Sequence, residues 1–158
     1  MRPLLVTLIA LVLSASAFAS DVKVLRVWPG YRTAESFMRI SEYFTGQENP
    51  GRNQTLLRTH PDQRGGLYFL TRVANNGAAI SDAKIELHVV TVRSPTEVVY
   101  TFATTVPHGE RVFEVGLTGP DWTTAAEHPV AWRLTVVDAT NHELAGEQSF
   151  LWSKPDRS

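Results

Sequence analysis

From residue 54 onward, apolar side chains recur at every second position, and this period constrains the fold more than any other feature of the sequence. In a β-strand, successive side chains point to opposite faces, so such rows predict strands with one buried face each. The clearest row has Val130, Trp132, Leu134 and Val136 as its inward members. We therefore expect most of the chain to form β-sheet.

Eight segments are predicted as strands, and turn residues separate them. The tripeptide Asn75-Asn76-Gly77 is one such turn signal, because Asn and Gly tolerate the positive φ of tight turns. No helical pattern lies between successive strands after Gly46, which argues against a parallel α/β fold. The predicted strands are Val22–Trp28, Gln54–Thr59, Leu67–Ala74, Ala83–Arg93, Thr96–Val106, Arg111–Leu117, Val130–Asp138 and Leu144–Trp152.

The segment before residue 54 is predicted to hold one α-helix, at residues 34–44. Thr33 is a suitable N-cap, and Gly46 is a suitable residue just beyond the C-terminus. Helical spacing places on one face Ala34, Phe37, Ile40, Ser41 and Phe44. We expect this face to pack on the sheets and to cover an open edge or end.

The last two predicted strands, joined by residues 138–142, resemble the closing hairpin of an immunoglobulin-like or fibronectin-type sandwich. The resemblance covers residues 54–152 and implies an architecture only, because such sandwiches host many unrelated functions. The expected fold is therefore mainly β. It is an immunoglobulin-like antiparallel β-sandwich of seven or eight strands with one N-terminal α-helix packed on it.

Residues 1–19 have the layout of a cleavable signal peptide. Arg2 supplies a positive start, residues 4–13 form a short apolar run, and Ala17-Phe18-Ala19 matches the pattern that signal peptidases cut. A membrane anchor is the alternative, but a spanning helix needs about 20 apolar residues. We expect an exported bacterial protein, periplasmic or extracellular, with no membrane span after cleavage.

After the signal peptide we expect a strand, helix and loop over residues 20–53, a sandwich over 54–152 and a tail over 153–158. The chain has no cysteine, so disulfides and thiolate sites are excluded and the core alone must hold the fold.

The formal net charge of the chain is −1, and positive and negative residues are interspersed. Nucleic-acid binders carry a basic face or a high isoelectric point, so that class is set aside.

The sequence shows no catalytic or metal-binding motif, and we expect no cofactor. No serine lies in a Gly-x-Ser-x-Gly turn, and no two of the five histidines have the spacing of a zinc-binding helix. For a hydrolase of unrecognised type, the best remaining site is the turn that holds His60, Asp62 and Arg64.

Two segments carry residue types that are enriched at binding sites. Trp28, Tyr31 and Arg32 flank a Pro-Gly pair after the first strand, and Trp122 stands alone in a loop. Exposed rings of this kind stack on sugars or pack against a protein partner. The alternative is that Trp28 and Trp122 fill the ends of the core, since large aromatic residues are mostly buried.

The leading functional hypothesis is an exported, non-catalytic interaction or structural module of the cell envelope that binds a protein partner. The alternative is a carbohydrate-binding module with an aromatic platform, and the third hypothesis is the hydrolase. Edge strands also leave strand addition by a partner and homodimerisation open. Coplanar exposure of Trp28, Tyr31 and Trp122 would separate the first two hypotheses.

Overall fold

A computed structural model describes residues 21–37 and 51–153 of the 158-residue chain. The predicted signal peptide, the predicted helix beyond residue 37 and residues 154–158 of the predicted tail lie outside the described residues. The strands are β1 (Val22–Arg32), β2 (Gln54–Arg58), β3 (Gly66–Asn75), β4 (Ile80–Val90), β5 (Val98–Val106), β6 (Gly109–Thr118), β7 (Ala131–Val137) and β8 (Glu143–Gln148). Single 3-10 turns lie at Ala34–Phe37 and Gly119–Asp121.

The strands form two sheets of four, which confirms the prediction of a mainly β sandwich. Sheet A has the order β1-β3-β6-β2, and sheet B has the order β5-β4-β7-β8. All neighbours in sheet B are antiparallel, but in sheet A β2 runs parallel to β6. Purely antiparallel pairing was therefore the wrong expectation at β2. Parallel neighbours need a long crossover, and three strands separate β2 from β6 along the chain.

The core lies between the two sheets and draws on the inner face of each. In sheet A it is built mainly by β3 and β6, and in sheet B by β4 and β7. The ring of Phe69 on β3 meets Trp132 on β7 edge-on, with 5.6 Å between ring centroids. The core members of these four strands are Leu67, Phe69, Val73, Ala83, Ile85, Leu87, Val89, Phe113, Val115, Leu117, Trp132, Leu134 and Val136.

The α-helix prediction is wrong for its first four residues. Ala34–Phe37 forms one 3-10 turn, closed by the backbone N–H of Ser36 donating to the carbonyl of Thr33 at 3.2 Å. Phe37 turns back onto the sheet, and its ring centroid lies 4.6 Å from that of Tyr68. This tertiary contact outweighs the local helix propensity, which is only a weak preference. The remainder of the predicted helix, with Phe44, lies outside the described residues.

Strand β1 runs further than predicted, because the Pro29-Gly30 pair does not end it. The strand continues to Arg32 and stays paired with β3 throughout. Proline is tolerated here because β1 is an edge strand of sheet A. A residue on the open side of an edge strand can lack its N–H without losing a hydrogen bond to a neighbouring strand.

A β-bulge at Leu25 also changes which side chains of β1 face the core. The register with β3 shifts between Val24 and Arg26. Val22, Val24 and Val27 therefore all lie against the core, although strict alternation had placed Val22 and Val27 on opposite faces.

Tyr68 is buried on the outer face of sheet A, over a glycine. In the strand register it lies between Gly30 on β1 and Gly116 on β6. A Cβ atom on Gly116 would lie 2.4 Å from Cε1 of Tyr68, whereas a Cβ atom on Gly30 meets nothing within 4 Å. The hydroxyl of Tyr68 accepts from Arg58 Nε and donates to the carbonyl of Arg64, both at 2.6 Å. These two bonds prevent the ring from moving aside.

We expect Gly116→Ala to destabilise the fold by about 1–3 kcal/mol, because the new methyl group overpacks against a fixed ring. Gly30→Ala is the matched control, since it changes the other neighbour of Tyr68 and should stay within about 0.5 kcal/mol. Urea unfolding of both variants measures the two differences. If both variants lose the same free energy of unfolding, the Tyr68 ring can move away from the new methyl group without destabilising the fold.

The turn between β7 and β8 is organised by one carboxylate. Oδ1 of Asp138 accepts from the backbone N–H and hydroxyl of Thr140, at 2.8 and 2.7 Å, and from the N–H of His142 at 3.0 Å. The hydrogen bond from the Thr140 side chain, followed by that from His142, holds the pKa of Asp138 below its ordinary value. Asn141 takes a positive φ of 62°, which asparagine tolerates in turns.

We expect Asp138→Asn to remove a pH-dependent part of the stability. Because the folded-state pKa is lowered, the carboxylate stabilises the fold above the ordinary carboxyl pKa of about 4, and this contribution is lost as the pH falls through the folded-state value. The Tm difference between the natural chain and the variant should therefore be larger at neutral pH than in acid. Thermal unfolding followed by circular dichroism measures it. A difference that stays constant with pH would contradict this role.

Candidate interaction surface

Trp28 is the exposed member of the predicted binding residues. It lies on the outer face of sheet A with 43% of its surface accessible. The guanidinium of Arg26, two residues away on the same face, lies 4.7 Å from the centroid of the Trp28 ring. One face of the indole is therefore already occupied by a cation–π contact.

Tyr31 and Arg32 lie on opposite faces of β1. Tyr31 is half-buried and packs against the core, so its ring is not on the face that carries Trp28. Arg32 is on the outer face, where its Nη1 donates to Oε2 of the buried Glu114 at 3.2 Å. Its guanidinium also lies 5.2 Å from the Phe37 ring. Arg32 thus balances the negative charge of the buried Glu114 side chain.

Trp122 belongs to the core, with only 3% of its surface accessible. It follows the 3-10 turn Gly119–Asp121, and its backbone N–H donates to the carbonyl of Gly119 at 3.2 Å. Its indole Nε1 is buried without a hydrogen-bond partner among the described residues. The rings of Trp28, Tyr31 and Trp122 therefore do not form one exposed platform.

The turn that holds His60 pairs this histidine with a residue distant in sequence. Nε2 of His60 lies 3.1 Å from Oδ2 of Asp121. The backbone of His60 is fixed by Thr118, whose hydroxyl accepts from its N–H and donates to its carbonyl, both at 3.0 Å. Burial, and then the nearby Asp121 carboxylate, raise the pKa of Tyr100. The predicted hydrolase site grouped His60 with Asp62 and Arg64 of the same turn, whereas the ion pair joins His60 to Asp121.

Neither a metal cluster nor a membrane-spanning helix is found in the part of the chain that the structure describes. Within residues 21–37 and 51–153, no group of three or more histidine, aspartate or glutamate side chains is placed to hold a metal ion. Over the same residues no helix is long and apolar enough to cross a membrane.

Exposed apolar side chains concentrate at one end of sheet B. Eight large apolar side chains are exposed among the described residues, and six of them lie where β4 and β8 end and where β5 and β7 begin. The antiparallel register brings these four termini together, since Val90 pairs with Ala131 and Val89 with Val98. Two of the six, Val98 and Val99, start β5. The other four, here called the apolar end, are Val92, Val130, Phe150 and Leu151.

Backbone hydrogen bonds hold the apolar end in place. The N–H of Val130 donates to the carbonyl of Val90, and that of Ser149 to the carbonyl of Trp132, both at 2.8 Å. Phe150 and Leu151 follow Ser149 directly and so lie beside the start of β7. Phe150 is 82% exposed and Val92 is 84% exposed. The Phe150 ring and the Val92 methyl groups are therefore exposed to water.

A groove of about 530 Å³ borders the apolar end at Val92. Its rim carries an ion pair, in which Arg93 Nε donates to Oε1 of Glu127 at 2.8 Å and a second nitrogen of Arg93 contacts the other oxygen. The hydrogen bonds to Glu127 raise the pKa of Arg93. The lining residues are Val92, Arg93, Thr124, Ala126, Glu127 and His128.

The apolar end was not predicted, because two strands end earlier than their sequence pattern indicates. Val92 was predicted within the fourth strand, and Phe150 and Leu151 within the last one, whereas these strands end at Val90 and Gln148. A signal was present, since the adjacent pair Phe150-Leu151 breaks the period of two.

The described residues define the class of this protein as a two-sheet β-sandwich. No family model matches the chain, and comparisons with the curated proteins and with the solved structures give no significant match.

We expect Trp28 to account for most of the fluorescence that acrylamide quenches readily, because it is the most exposed of the four indoles. Trp28→Phe should remove that component. Trp122→Phe is the control and should leave the accessible fraction unchanged. If quenching is the same in Trp28→Phe as in the natural chain, Trp28 is covered in solution.

Proposed function

We propose that this chain is an exported, non-catalytic interaction module of the cell envelope, which binds a protein partner through the apolar end of sheet B. One observation carries the proposal: four large, exposed apolar side chains lie at the same end of sheet B, where backbone hydrogen bonds fix the chain at Val130 and Ser149. Contiguous apolar patches on soluble domains mark interaction sites, because leaving them in water is unfavourable.

The chemistry of the apolar end favours a protein partner. Phe150 and Leu151 supply an aromatic ring and a branched aliphatic side chain, which are typical anchors of protein interfaces. The groove beside Val92 offers a recess for an apolar side chain of the partner, and the Arg93–Glu127 pair gives its rim a polar boundary. A carbohydrate-binding module receives less support, since the rings of Trp28, Tyr31 and Trp122 share no surface.

The strand order supports the finer proposal of an immunoglobulin-like sandwich. In such folds one sheet has the order A-B-E-D, and the other contains C-F-G. Here β1-β3-β6 takes the order of A-B-E, and β4-β7-β8 takes the order of C-F-G. The place of strand D, beside E, is taken by β2, which comes earlier in the chain and runs parallel to its neighbour.

Export is proposed from the N-terminal pattern of residues 1–19. Export would bring the apolar end into contact with proteins of the envelope. Such a contact would cover the exposed apolar side chains. The complete absence of cysteine agrees with a core that needs no disulfide in an oxidising compartment.

The test of the proposed function is binding to washed envelope from the source cells. We expect the natural chain to co-sediment with intact envelope and not with protease-stripped envelope. The double variant Phe150→Ser, Leu151→Ser should lose about tenfold or more in affinity, as truncation of interface anchors does. Both positions are exposed, so the fold should be unaffected.

Leu25→Ser is the matched control, because Leu25 is 46% exposed against 49% for Leu151 but lies on the opposite sheet. It should bind like the natural chain. Binding that survives protease treatment would indicate a glycan instead. Equal binding by the Phe150→Ser, Leu151→Ser variant and the natural chain would overturn the proposed surface.

A further inference from the structure

Strand β5 differs from the other three edge strands in its chemistry. An edge strand presents unpaired N–H and C=O groups, and proteins protect such edges with charge, proline, bulges or short length. β1 has Lys23, Arg26, Pro29 and a bulge. β2 and β8 are only five and six residues long and carry charged side chains.

β5 itself has none of these protections, and the one irregularity in its ladder lies on β4, between Ile80 and Ala83. Its nine residues, Val98–Val106, contain no charge, no proline and no glycine, and most of them are β-branched or aromatic. It pairs with β4 on one side and has no neighbouring strand on the other within the described residues. Among residues 21–37 and 51–153, the open side borders a cleft of about 660 Å³ between β5 and β2.

We infer that β5 is a self-association edge, along which two copies of this chain pair antiparallel about a two-fold axis at Phe102. The inference rests on β5 and not on the apolar end, so it goes beyond the proposed function. A two-fold interface of this kind is closed, because each copy contributes the same edge. Sheet B would then continue through the dimer as one eight-stranded sheet.

The side chains of β5 are complementary to themselves in this register. On the outer face, Thr101 lies opposite Ala103 of the second copy, and Val99 lies opposite Thr105 of the second copy. All four are exposed in the single chain. On the core side Phe102 meets its own equivalent, which gives an aromatic cross-strand pair. Since no charge lies on β5, no like charges face each other across the contact.

The neighbouring strand adds no like-charge repulsion. On the outer face Lys84 lies beside Ala103, and Glu86 lies beside Thr101. The two-fold axis therefore puts Lys84 of one copy and Glu86 of the second copy in the same row across the dimer. A second copy supplies an uncharged strand of equal length with the same inward and outward alternation, which is what the open edge of β5 can pair with.

The experiment is sedimentation of the chain, expressed in full length and purified from the exported fraction. We expect the average mass to rise from monomer toward dimer between about 1 µM and 1 mM, since an edge contact of this size is small. The double variant Thr101→Lys, Ala103→Lys places lysines opposite each other and should weaken the dimer about tenfold or more. The double variant Thr101→Lys, Ala103→Glu places opposite charges there and should restore it.

The two variants change the same exposed positions, so they control for each other, and circular dichroism checks that both fold. A monomer at all concentrations would overturn the inference. So would a dimer that tolerates the two lysines, or one that the Lys–Glu variant does not restore. Envelope binding by the apolar end is read in a separate assay, so either hypothesis can fail while the other stands.

Discussion

The contact between the inner faces of the two sheets carries the fold, and the rest of the molecule depends on it. Its centre is the edge-on packing of Phe69 against Trp132, surrounded by the fully buried side chains of β3, β4, β6 and β7. The chain has no cysteine, so no covalent link supports this contact. Stability therefore comes from apolar burial, at about 25 cal/mol per Å² of surface removed from water.

This arrangement also decides where interaction sites can lie. Both inner faces are used by the core, and the outer face of sheet A is partly covered where Tyr68, Phe37 and Arg58 stack on one another. Glu114 is buried on the same face and is compensated by Arg32. The surface of sheet B is less covered, and both its apolar end and its unprotected edge are found there. Ion pairs and hydrogen bonds also lie on the outer face of sheet B, such as those of Arg133 with Glu143 and of Lys84 with Asn141.

Strands in which apolar residues alternate regularly were predicted well. The bulge in β1 and the pairing of β2 were not predicted. Of the predicted inward row, Trp132, Leu134 and Val136 are buried, because a strand face against the core imposes a strict alternation of residues. Val130 was also predicted to face inward, but it is 41% exposed because β7 begins only at Ala131. The bulge at Leu25 escaped prediction because it changes the period by one residue without any glycine or proline to mark it. The pairing of β2 with β6 was also unpredictable, since parallel partners are set by tertiary packing and not by turn residues.

The candidate site was predicted less well than the fold, for a related physical reason. Residue type pointed to Trp28, Tyr31, Arg32 and Trp122, but type does not determine burial. Tyr31 and Arg32 are neighbours in sequence and so lie on opposite faces of one strand. Trp122 reaches the core because the turn Gly119–Asp121 directs it inward. The pair Phe150-Leu151 was a signal in the sequence, but its position beside Val92 and Val130 follows only from the strand pairing.

The two surfaces of sheet B have a joint geometric consequence. The apolar end lies at the terminus where β5 begins, and antiparallel pairing along β5 reverses the strand direction of the second copy. The two apolar ends of a dimer therefore point in opposite directions along the strands. Such a dimer cannot place both ends on one flat surface, so it gains little avidity toward a single partner. It is suited instead to joining two partner proteins that lie on either side of it.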